Sequence, residues 1–92
     1  MTTLTPELFR KNGWEEDEYC DEINFYWRGP RSERFVTTYT VVDGGCPILT
    51  IEDGFDKCKD HTVLVLKDII YTVEALRAVF DLLKIDFEFN VK

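Results

Sequence analysis

Between residues 14 and 66 the chain holds four or five segments of strand composition, joined by connections too short for a crossover. Parallel strands need a dozen or more linking residues, whereas antiparallel neighbours can be joined by a tight turn. The middle of this chain is therefore restricted to an antiparallel meander. Trp14 to Tyr19 is polar but can extend. Ile23, Phe25 and Trp27 alternate with Asn24, Tyr26 and Arg28, the period of a half-buried strand. Gly29-Pro30 punctuates the next turn. Arg34 to Val42 is rich in β-branched and aromatic residues. Phe35, Thr37, Tyr39 and Val41 share one face there, and Val36, Thr38, Thr40 and Val42 the other. Asp43-Gly44-Gly45 turns into a strand over Ile48 to Glu52, and His61 to Leu66 reads as another. Val63-Leu64-Val65-Leu66 is continuously apolar. That predicts a central strand covered on both sides, or one shared between core and partner.

The ends of the chain are helical in period. Thr5-Pro6-Glu7-Leu8-Phe9-Arg10-Lys11-Asn12-Gly13 writes out a short helix with its start and stop. The Thr5 hydroxyl can accept a free first-turn N–H, and Pro6 fits the first position, where no donor is needed. Gly13 can take the left-handed conformation that closes a helix. The domain is thus expected to begin with the first residues printed. Thr72 can cap a second helix from Val73 to Leu83, with Val73, Leu76, Val79, Phe80 and Leu83 on one stripe. Glu74, Arg77 and Asp81 are expected to pair along its outer side. Asp86 to Val91 then alternates and predicts a last strand. Residues 1–92 make one domain of α+β class. Its two layers are an antiparallel meander of four to six strands and a short N-terminal and a longer C-terminal helix.

Composition narrows the function classes. Hydrophobic content of 45% and aromatic content of 14% exclude a disordered chain. No apolar run approaches the roughly 20 residues of a membrane helix. Cys20, Cys46 and Cys58 are odd in number and irregularly spaced, unlike a secreted disulfide framework. With no basic-then-apolar leader, a cytoplasmic setting with free thiols is expected. The net charge of −7 is uneven: −5 over residues 1–24, +2 over 25–42, −3 over 43–60 and −1 over 61–92. Such a field repels phosphate backbones.

The stretches Leu4-Thr5-Pro6-Glu7, Lys11-Asn12-Gly13-Trp14, and Tyr71 with Glu74 resemble small proteins that recur in Bacteroides-type genomes and their mobile elements. Those proteins open with the same helix, continue through a meander and close with a helix. The resemblance implies a bacterial, phage- or element-associated protein and brings no catalytic residue with it. The closing helix departs from the pattern, reading Ala75-Leu76-Arg77 where the others continue with a more polar Leu-Gln-Asn.

The reactive side chains assemble no complete chemistry on paper. Cys58 and His61, with Cys46 and Cys20, offer soft ligands, but a structural zinc site needs two close pairs, so no metal is expected. Asp53 to Asp60 lacks the ligand spacing of a calcium loop. His61 with Cys58 lacks the third, orienting group of a nucleophilic triad. No glycine loop has the context to cradle a phosphate, and no cofactor is expected. Phe25-Tyr26-Trp27 with Arg28, Arg31 and Arg34 would make an aromatic-basic platform, but the overall charge opposes it, and the arginines could pair with the acidic first strand instead. A non-enzymatic protein-interaction or accessory module remains, able to self-associate as a homodimer. Its partner surface would draw on Glu15, Glu16 and Glu18 and on Tyr26 and Tyr39 if both tyrosines face outward. Ile69, Ile70 and Tyr71 could add to it. The alternative is an acidic decoy that occupies a basic nucleic-acid-binding protein.

Overall fold

Both helices of the computed structural model are bounded by the same pair of devices. The structure describes residues 1–30, 32–54 and 61–91, with His61 described in its backbone only. Helix α1 spans Pro6–Lys11 and α2 spans Val73–Leu82. At their starts, the Thr5 hydroxyl accepts from the Leu8 N–H (3.3 Å) and the Thr72 hydroxyl from the Ala75 N–H (3.1 Å). At their ends, Gly13 (φ +79°) and Lys84 (φ +56°) turn left-handed. Trp14 N–H then reaches back to Phe9 O, and Ile85 N–H to Phe80 O, at 3.1 and 2.8 Å. This is the Schellman closure, which pairs an apolar residue past the end with one inside the helix. Phe9 and Trp14 meet at 4.9 Å between ring centroids.

Between the helices lie β1 (Glu15–Tyr19), β2 (Glu22–Trp27), β3 (Phe35–Val42), β4 (Ile48–Asp53) and β5 (His61–Lys67). They form one sheet in chain order, each pair antiparallel. The fold is the α+β meander that the short connections require. Both helices pack on one face of the sheet, where Phe25, Tyr39, Leu49 and Ile51 meet Phe9, Val73, Leu76 and Phe80 in a single core. Phe9 is fully buried and stacks on both Phe25 (4.8 Å) and Tyr39 (4.9 Å). Residues 2–4 pair with the entry to α2, through Leu4 N–H to Tyr71 O and Val73 N–H to Thr2 O, both 2.8 Å.

Two expectations are corrected. Strand β5 is at the edge of the sheet, not in its centre, and Val63 and Val65 are 43% and 45% exposed. The apolar run reflects Leu64 and Leu66 packing against the core while Val63 and Val65 face away. A bulge also interrupts the pairing: Ile51 faces Leu64, but Glu52 faces Thr62, leaving Val63 unmatched.

Residues 86–91 form no strand ladder. Their alternation is genuine, since Phe87 and Phe89 turn inward and Asp86 and Glu88 outward. Side chains hold part of the backbone instead. Asn12 donates to Asn90 O (2.9 Å) and accepts from Asn90 N–H (2.7 Å), offering one amide where a strand would offer a peptide. Arg77 donates to Phe89 O at 2.7 Å. The segment lies beside the helices and closes the core, with Phe87 at 4.7 Å from Trp27 and Phe89 at 5.4 Å from Phe9.

Candidate interaction surface

Strand register fixes which side chains share the uncovered face. One row crosses all five strands as Glu15, Tyr26, Thr38, Thr50 and Val65. The next runs Asp17, Asn24, Thr40, Ile48 and Lys67, and a shorter one Tyr19, Glu22 and Val42. The partner residues of the same strands, Glu16, Phe25, Tyr39, Leu49 and Leu66, form the row beneath the helices. Among the described residues, no helix covers the outer rows. Their middle is half-exposed, and Tyr19 is 71% exposed. The Thr40 hydroxyl donates to the Asn24 side-chain oxygen at 2.6 Å, bracing β2 against β3 across this face.

The predicted surface residues divide between the two sides. Tyr26 lies on the outer face. Tyr39 does not: it is only 3% exposed, and its hydroxyl donates to Ile70 O at 2.7 Å. Its register partner is Phe25, so a strand that buries Phe25 buries Tyr39. Burial pushes the Tyr39 phenol up to about 12, because a charged phenolate would be desolvated there. The acidic run is split by the pleat. Glu15 and Asp17 fall on the outer face, while Glu16 and Glu18 pair with Phe25 and Ile23 and lie on the core side. Glu16 accepts from Arg10 at 2.7 Å. Such an exposed pair adds little stability.

Among the described residues, Arg28 and Arg34 are not paired with β1. Arg34 bonds Asp53 on β4 at 2.7 Å, which holds its guanidinium pKa up. Arg28 is exposed beyond β2, and Arg31 lies outside the described residues. The aromatic platform is likewise divided. Phe25 is buried, Trp27 packs on Phe80 and Phe87, and only Tyr26 faces out. Ile70 is buried, whereas Ile69 and Tyr71 are 61% and 46% exposed. Tyr71 donates to the Asp68 carboxylate. That carboxylate also pushes the Cys46 thiol up, mainly through its charge, the direction that disfavours a thiolate.

Reactive groups do not converge among the described residues. Glu18, Cys20, Asp21, Ile23, Val41 and Asp43 line an open hollow of about 330 Å³. It offers carboxylates and a thiol, without imidazole or lysine. Among the described residues, no group of three or more His, Cys, Asp or Glu could hold a metal ion. Cys20 and Cys46 are free and exposed. Cys58 and the calcium-loop stretch from Phe55 to Asp60 lie outside the described residues, as does the side chain of His61. Among the described residues, no helix is long and apolar enough to cross a membrane.

Three residues gain roles that their own segments do not reveal. Thr38 and Thr50 form the centre of the outer face, a role legible only once β2 shows which face is inward. Arg77 attracts Glu74 along α2 and also binds Phe89 O, lining a second open hollow of about 350 Å³ with Glu88, Phe89, Asn90 and Val91. Glu74 accepts from the Thr2 N–H, chiefly for which reason its carboxyl pKa is lowered. No protein-family model, curated protein or solved structure matches this chain.

Proposed function

We propose that the protein is a non-catalytic interaction module of the cytoplasm, binding another protein through the outer face of its sheet. The observation that carries this reading is the bare face itself, where Tyr19, Tyr26, Ile48, Val63 and Val65 add apolar surface. Apolar surface gathered on one face marks contact sites in small domains. The test compares proteins recovered with the native chain and with Thr38→Lys from the organism that encodes it. A partner lost from Thr38→Lys, with the amide NMR spectrum otherwise intact, is the expected result. Identical recovery with both chains contradicts the proposal. If the partner is a second copy, light scattering will show mass rising with concentration; a strict monomer at high concentration removes self-association.

The exposed carboxylates of β1 favour a second reading, an acidic decoy that occupies a basic nucleic-acid-binding protein of a mobile element. That reading predicts salt-sensitive capture, abolished by reversing charge at Glu15, Glu16 and Glu18 together. Capture that survives the triple reversal rejects it.

A further inference from the structure

Carboxylates are concentrated toward the β1 edge of the outer face, although Tyr19 and Tyr26 lie among them and Glu52 and Lys67 stand on β4 and β5. Glu15 and Asp17 stand on β1 and Glu22 on β2. The rows then pass through Thr38, Thr40 and Thr50 to Ile48 and Val65 on β4 and β5. Among the described residues, neither Glu15 nor Asp17 is paired with a cation. Glu16, on the core side of the same strand, is answered by Arg10. The outer carboxylates are therefore left to meet an external cation beside an apolar field.

Resting on the interaction reading above, we propose that this face takes a basic amphipathic segment of another protein, laid across the strands. Its Lys or Arg side chains would lie over β1 and β2, and its apolar side chains over β3 to β5. Five strands at about 4.8 Å spacing are roughly 19 Å wide. That matches roughly 13 residues of helix at 1.5 Å rise. A second copy fits less well. It would bring another −7 charge, and Lys67 is the sole cation in these rows to receive it. A nucleic acid is opposed by the same sign.

The test uses the full chain, amide NMR and two synthetic helical peptides of about 14 residues. They share one leucine-rich half; the other half carries lysines in one peptide and glutamates in the other. The lysine peptide is expected to move the amide signals of Asp17, Tyr26, Thr38 and Thr50. Asp17→Lys and Glu18→Lys then separate a built surface from bulk charge, because neighbouring residues on opposite faces undergo the same charge reversal. Asp17→Lys should weaken binding roughly threefold to tenfold, the scale of exposed charge pairs lost and reversed. Glu18→Lys should change it by less than about twofold on the same scale. Equal weakening by both variants overturns the proposal. If the glutamate peptide or a second copy moves the outer-face signals instead, the face binds but the partner chemistry is wrong. If none of these moves them, both this inference and the interaction reading fall.

Discussion

Among the described residues, three non-glycine ones carry positive φ: Cys20 at +54°, Asp68 at +59° and Lys84 at +56°. A β-carbon makes this conformation costly. Cys20 opens the two-residue loop between paired Tyr19 and Glu22, a position that glycine favours. Lys84 occupies the place in the α2 closure that Gly13 fills in α1. Cys20→Gly and Lys84→Gly should therefore each raise stability by about 1 kcal/mol in urea unfolding. Tyr39 makes a separate prediction. Its folded pKa of about 12 exceeds the ordinary 10, so its contribution is complete below pH 10 and disappears as pH rises toward 12. On the order of 2 kcal/mol should be lost across that window. Tyr39→Phe should flatten this alkaline loss, read by denaturant unfolding at a series of pH values.

At the scale of elements, the unexpected part is the segment after α2. Asn12 replaces a strand neighbour for Asn90, and Phe89 is 1% exposed. Phe89→Ala should cost about 3–5 kcal/mol, as for other deleted core aromatics. Asn12→Ala removes donor and acceptor alike and should cost about 1–3 kcal/mol, with faster hydrogen exchange at Asn90. The two helices and the meander could be read from residues alone, because Thr5, Gly13 and Thr72 act on neighbours a few positions away. Ile23, Phe25 and Trp27 likewise fix their own face by period. The last strand could not be read correctly, because alternation of Phe87 and Phe89 records burial and not what the backbone bonds. The place of β5 depended on sheet order, which no single strand encodes. Of the predicted surface, Tyr26 was legible and Tyr39 was misplaced. Its face follows from its pairing with Phe25 across β2 and β3, a long-range fact.

For the whole molecule, the consequence of packing both helices on one face is asymmetry. Core substitutions and outer-face substitutions should part company. Thr38→Lys and Thr50→Lys should leave stability within about 0.5 kcal/mol, since the lysine stem can run along the surface. They should still disturb any contact made there. The claim beneath all of this is that solvent reaches the outer rows in the free protein. The direct measurement is paramagnetic relaxation of side-chain methyls by an uncharged, soluble gadolinium chelate. The methyls of Thr38, Thr50 and Val65 should relax strongly, while those of Leu49, Ile51 and Leu76 remain unaffected. Outer-face methyls as sheltered as those of Leu49 would show the face already covered and contradict the account.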